Sequence, residues 1–220
     1  MTSVYDLKPR FQALLRPLLN LLVRLNVTPN SITLAALAGS AAVGLSIFYY
    51  RESKGILLVL PAWLFLRMAL NALDGMMARD YHLETDLGAF LNEVGDILSD
   101  TLLYLPLALL DTSALWFIVA FCFGAVFTEF CGVLGQAAGA GRQYQGPMGK
   151  SDRAFVVGLL ALLTVIFPVL LIYWKWVFLG ACLLTGVTCL NRVSGALKQL
   201  RNHRQKKGNT PIPGNENNDA

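Results

Sequence analysis

Runs of about 20 apolar residues, broken by short polar turns, dominate the chain from residue 31 to residue 196. An α-helix rising about 1.5 Å per residue needs that length to cross a hydrocarbon core roughly 30 Å thick. Six such runs, at about 31–50, 55–79, 86–110, 113–138, 154–173 and 176–196, predict an all-α polytopic fold with six transmembrane helices. Ahead of them the pattern changes. Residues 4–25 mix apolar and basic positions, and Leu14, Leu15, Leu18, Leu21, Leu22 and Leu25 fall at helical spacing. This predicts an amphipathic helix lying in the membrane interface, within a cytoplasmic segment 1–30. Thr28-Pro29-Asn30-Ser31 then breaks the chain, with Asn30 or Ser31 placed to cap the helix that follows. Ala36, Ser40 and Gly44 repeat at every fourth residue of the first run, a stripe of small side chains that lets another helix approach closely. Beyond a transmembrane domain at 31–199, residues 200–220 turn basic and then rich in Asn, Pro and Gly, which predicts a disordered tail.

Charge orients the array. Of the 18 Lys and Arg residues, fourteen fall on the side holding both termini, the turn after the second run and the 139–153 loop. Only Arg51, Lys54 and Lys175 fall on the other side, and Arg67 lies within the second run. The positive-inside bias puts both termini in the cytoplasm of a cell whose inner membrane carries the protein. No small-residue cleavage site follows the first apolar run, so no removable signal peptide is expected. The net charge of +4 belongs to that membrane face and suits an anionic leaflet; with no basic soluble domain to grip a duplex, nucleic-acid binding is not expected. Cys122, Cys131, Cys182 and Cys189 all lie inside apolar runs without a C-x-x-C pair and read as packing residues. His82 and His203 have no second His or Cys at ligand spacing and do not point to zinc.

The second and third runs carry more polar groups than packing explains. A charged side chain at a membrane helix centre costs roughly 2.5–3.5 kcal/mol, so it needs a partner or a role. Arg67, Asn71, Asp74 and Ala78 share one face of the second helix, and Gly88, Asn92, Asp96 and Asp100 share one face of the third. A short turn makes the two helices antiparallel neighbours, so the two faces can oppose one another. The carboxylates of Asp74 and Asp96 and the amide oxygens of Asn71 and Asn92 form a donor set suited to Mg²⁺ or Mn²⁺, which would in turn hold phosphate oxygens. Gly75 and Gly88 leave room for a ligand close to the backbone.

These residues resemble the signature of the CDP-alcohol phosphatidyltransferases, D-x2-D-G-x2-A-R-x8-G-x3-D-x3-D. Asp74, Gly75, Ala78, Arg79, Gly88 and Asp96 match at identical spacing, while Asn71 and Asn92 stand at the first and third aspartate positions. A surface helix, the T-P-N-x-I-T segment from Thr28 to Thr33, six spans and a basic loop after the fourth also look like this family. The resemblance implies transfer of a phosphatidyl or similar phospho-alcohol group from a CDP-alcohol such as CDP-diacylglycerol to an acceptor hydroxyl, with release of CMP, in phospholipid biosynthesis. It implies two divalent ions on four aspartates, a homodimer, and a general base at the last aspartate. Carried over, Asp74 binds metal, Asp96 ligates metal and takes the acceptor proton, and Gly75, Ala78, Arg79 and Gly88 receive the CDP-alcohol. Two amides for two carboxylates lower the site's charge by two, which leaves one or two ions open. Asp100, one turn further along the same face, is a better substitute ligand than Glu93.

Arg142, Lys150 and Arg153 sit in or beside the glycine-rich loop after the fourth run, on the same membrane face. They read equally as ordinary cytoplasmic-face cations or as binders of a phosphate on the acceptor, and the family resemblance tilts Lys150 and Arg153 to the acceptor. This mildly favours a phosphorylated acceptor. Glu129, inside the fourth run, is expected to pair with Arg67, to line the pocket, or to remain protonated. The two asparagines also motivate a second reading, a catalytically silent relative that binds a CDP-lipid or a partner protein. A carrier is disfavoured, because no internal repeat is present and the polar residues gather at one membrane face.

Overall fold

The computed structural model describes residues 4–208, and all regular structure among them is helical. The α-helices are α1 (Val4–Arg24), α2 (Pro29–Tyr49), α3 (Val59–Asp80), α4 (Asp86–Tyr104), α5 (Leu115–Ala137), α6 (Lys150–Ile166) and α7 (Trp174–Gly208). Short 3₁₀ segments, Lys54–Leu58, Leu105–Leu109 and Pro168–Tyr173, precede α3 and follow α4 and α6. Four helical stretches are long and apolar enough to cross a membrane: Pro29–Tyr49, Gly55–Asp80, Leu115–Ala137 and Pro168–Gln205. The helix α4 falls outside that group because it carries Asp86, Glu93, Asp96 and Asp100, and α6 because it is only 17 residues long.

The break before α2 works differently from expectation. Thr28 is the N-cap: its hydroxyl accepts from Ser31 N at 3.2 Å, while the Ser31 hydroxyl accepts from Thr28 N at 3.1 Å. Pro29 takes the first helical turn, where its missing N–H costs nothing. The small-residue stripe sets how closely α2 packs on α3 and α4. Ser40 is fully buried and accepts from Trp63 Nε1 at 3.0 Å, and a Cβ on Gly44 would lie 2.1 Å from the Leu102 carbonyl oxygen. In lipid, close van der Waals approach of this kind, more than water exclusion, holds helices together.

Two apolar clusters frame the bundle. The larger joins Ile47, Leu60, Leu103, Leu107, Ile118 and Val157 with an aromatic series. In that series Tyr104 meets Phe121 at 5.7 Å, Phe121 meets Phe178 at 5.4 Å, and Phe178 meets Trp174 at 5.8 Å. The smaller, Leu19, Ile32, Leu73, Met76 and Met77, fixes α1 against α2 and the end of α3. Tyr81 also donates to Asn20 Oδ1 at 3.2 Å. Where the sequence predicts a tail from residue 200, α7 continues as helix to Gly208; residues 209–220 lie outside the described ones. At 35 residues, α7 is about 52 Å long, well beyond the roughly 30 Å core.

Candidate active site

Helices α3 and α4 are joined by residues 81–85, a reversal in which His82 takes the left-handed conformation at φ 55°. The Thr85 hydroxyl then caps α4 by accepting from Gly88 N at 3.0 Å. This antiparallel pair brings the predicted polar faces together. Asn71 Nδ2 donates to Asp96 Oδ1 at 3.0 Å, and Arg67 Nη2 reaches the same oxygen at 3.1 Å. The other Asp96 oxygen accepts from Lys150, carried in by the start of α6. Asp74 is held from α2, where Thr33 donates to its Oδ2 at 2.8 Å.

A cleft of about 800 Å³ opens on these groups. Asn71, Asp74, Gly75, Ala78 and Arg79 line it from α3, Gly88 and Asn92 from α4, and Lys150 from α6. Gly88 sits at a tight point: a Cβ there would stand 2.8 Å from Asn30 Oδ1 and 3.0 Å from the Thr85 hydroxyl. Pro29, Asn30 and Thr33 complete the wall, with Glu84 and Asp86 among the remaining lining residues. The role of α2 in the site is missing from the sequence reading, although Asn30 and Thr33 lie inside the quoted T-P-N-x-I-T segment.

Two residues expected at the acceptor lie elsewhere. Arg153 is 1% exposed and spent on ion pairs, with Asp100 at 2.9 Å and Glu129 at 3.0 Å. Arg142 lies between Glu93 at 2.7 Å and Glu129 at 2.8 Å. Burial opposes its charge, but the carboxylates of Glu93 and Glu129 outweigh this and raise its pKa. Asp100 is likewise no substitute metal ligand, since Arg67 at 2.5 Å and Arg153 occupy its oxygens. Glu129 pairs not with Arg67 but with Arg142, Arg153 and, at 3.3 Å, Arg192. Arg192, one of the fourteen basic residues on the side holding both termini, is 2% exposed, and its position inside the apolar run 176–196 is the signal that could have marked it.

The oxygen donors at the signature positions are therefore the carboxylates of Asp74 and Asp96 and the amides of Asn71 and Asn92; Asn71, Asp74 and Asn92 line the cleft, and Asp96 is bonded to Lys150 in its wall. Among the described residues no three His, Cys, Asp or Glu side chains are grouped to hold a metal. Two hard carboxylate donors with amide oxygens beside them still fit a hard divalent ion that shares its remaining positions with phosphate oxygens or water.

A sequence model described as CDP-alcohol phosphatidyltransferase matches residues 26–188. The chain belongs to that family. It is a membrane transferase of phospholipid synthesis that moves a phosphatidyl-type group from a CDP-alcohol, in a family that depends on divalent metal. Inner membrane protein YnbA of Escherichia coli (strain K12) is 44% identical over 195 residues, covering 89% of this chain and 96% of that protein. An uncharacterized protein of Aquifex aeolicus (strain VF5) is 44% identical over 98 residues, or 44% of this chain and 46% of its own length. The fold is that of the Mycobacterium tuberculosis phosphatidylinositol phosphate synthase PgsA1 with CDP-DAG bound. The TM-score is 0.70 at 20% identity, with 93% of this chain and 97% of that chain covered. The same synthase in complex with manganese and citrate also gives 0.70 at 20% identity, over 93% and 92% of the two chains.

Proposed function

We propose that this transferase uses CDP-diacylglycerol or a closely similar CDP-lipid as donor, and that Asp96 is the base that activates the acceptor hydroxyl. The observation that carries the reading is the single cleft on which Asp74 and Arg79 open, with Lys150 in its wall bound to Asp96. Asp74 and Asp96, with the oxygens of Asn71 and Asn92, would hold a divalent ion, Mg²⁺ or Mn²⁺, which would neutralise charge on the diphosphate. Two amides in place of carboxylates, with Lys150 bonded to Asp96, favour one ion over two. Gly75 and Gly88 let the nucleotide approach the backbone, Ala78 keeps the wall low, and Arg79 braces the diphosphate.

Asp96 takes the hydroxyl proton of the acceptor. The acceptor oxygen bonds to the phosphorus bearing the lipid, the bond from that phosphorus to the bridging oxygen breaks, and CMP leaves with the electron pair. Arg67 and Asn71 orient the Asp96 carboxylate throughout. Purified protein given CDP-diacylglycerol, Mn²⁺ or Mg²⁺ and a panel of alcohols should release CMP with at least one of them. Asp96→Asn should lower the rate by about a hundredfold or more. CDP-lipid binding with no CMP release from any acceptor would replace this reading with that of a silent relative, as the two asparagines would then imply.

In the membrane, α4 with its 3₁₀ extension and α6 with its own complete six spans. The stripe Leu14, Leu18, Leu21 and Leu25, 44–75% exposed on the side of α1 away from the Leu19 cluster, supports burial of that face in the interface. Both termini lie in the cytoplasm and the protein in the inner membrane, as the basic bias and the relative in Escherichia coli support.

A further inference from the structure

Beside the cleft, three guanidiniums converge on one carboxylate. Glu129 accepts from Arg142 Nη2 at 2.8 Å and Arg153 Nη2 at 3.0 Å, and Arg192 Nη1 stands 3.3 Å from it. Three arginines around two oxygens is the arrangement that holds a phosphate, except that the anion is part of the chain. The cluster is also continuous with the reacting carboxylate. Arg153 binds Asp100, Asp100 binds Arg67, and Arg67 binds Asp96. Arg192 Nη2 stands 3.9 Å from where a Cβ on Gly149 would lie, next to Lys150 in the cleft wall.

The guanidiniums of the cluster are already spent. Arg67, Arg142, Arg153 and Arg192 are each paired among Glu93, Asp96, Asp100 and Glu129, and Lys150, on Asp96 at the cleft wall, is the fifth cation against those four anions. Of these arginines and carboxylates, all but Glu93, at 31%, have side chains no more than 10% exposed. An additional dianion brought among them would meet carboxylates rather than unspent cations, in a medium where such repulsion is poorly screened. The cations of the cleft itself are Arg79 and Lys150, and Glu84 and Asp86 share the lining with them. In the cluster, Arg192 Nε is a buried donor without a partner. One N–H of that kind matches one hydroxyl oxygen and not the several donors that hold a phosphate.

We propose that the acceptor is an alcohol without a phosphate group, and that Glu129 is the residue that enforces this by filling, as a tethered anion, the arginine site a phosphorylated acceptor would need. The proposal rests on the transfer reading above and names its acceptor class. It reverses the mild expectation of a phosphorylated acceptor drawn from Arg142, Lys150 and Arg153.

The test compares matched pairs with the full-length protein and CDP-diacylglycerol: glycerol against glycerol 3-phosphate, and inositol against inositol phosphate, with CMP release and lipid products measured for each. Turnover should favour an unphosphorylated member over its phosphorylated partner by at least about tenfold. A phosphorylated partner that is faster would overturn the proposal while leaving the transfer reading intact. Absence of CMP with every acceptor would instead count against the transfer reading. Calorimetry with glycerol 3-phosphate tests the site apart from turnover. The wild type should show no saturable binding, whereas Glu129→Gln, checked as monodisperse in detergent, should acquire it. Saturable binding to the wild type would also overturn the proposal, whatever the variant does.

Discussion

At the scale of single residues, substitution of two aspartates by Asn71 and Asn92 is the feature that most alters the chemistry. An amide offers an oxygen but no charge, so Asp74 and Asp96 are the two carboxylates left at the signature positions, and Lys150 supplies a cation directly on Asp96. Equilibrium dialysis with Mn²⁺ in the presence of a CDP-lipid should therefore give close to one ion per chain, and Asn71→Asp combined with Asn92→Asp should raise the number toward two. An unchanged count in the double variant would mean that the amides are not at ligand positions. Asp100 acts through others. With 2% exposure and ion pairs to Arg67 and Arg153, it holds both guanidiniums, and through Arg67 it helps hold Asp96. Asp100→Asn leaves two buried guanidiniums short of a counter-charge and should destabilise the fold by about 3–5 kcal/mol. Thermal unfolding in detergent would show this, and a drop no larger than that of a surface substitution would remove Asp100 from the role.

Helix pairs decide where those residues meet. The α3–α4 reversal places Asn71 against Asp96, and α2 closes the wall only because its small face lets it sit tightly on both. Gly44→Ala puts a methyl group about where the Leu102 carbonyl oxygen lies. Separation of α2 from α4 to relieve that clash should cost about 1–3 kcal/mol and lower nucleotide affinity as Thr33 and Asn30 move away. Gly180→Ala, where nothing lies within 4 Å, serves as the matched control and should change neither. Equal effects from the two substitutions would mean that the close approach at Gly44 is not what seats α2.

Across the whole molecule, the apolar aromatic cluster and the charged network adjoin one another, with Arg153 donating to the Met148 carbonyl at 3.2 Å, and Lys150 joins the network to the cleft wall. The topology makes its own prediction. Reporter fusions after residue 208 and at the N-terminus should both read cytoplasmic, whereas a cysteine introduced at Glu52, exposed between α2 and α3, should be labelled from the periplasmic side. Opposite readings from the two termini would require an odd number of spans and would remove six.

What sequence alone determined is what depends on local spacing. Apolar run lengths yield the helices, and the identical spacing of Asp74, Gly75, Ala78, Arg79, Gly88 and Asp96 yields the family, because residues three and four apart share a helix face whatever surrounds it. Contacts between distant segments were beyond its reach. Arg142 and Arg153 read as free cations until tertiary structure placed Glu93, Glu129 and Asp100 beside them, and Glu129 had no legible partner because its arginines lie 13, 24 and 63 positions away. Whether a charge faces a ligand or another side chain is set by which helices pack together, and that pairing is not written in the period of any single helix.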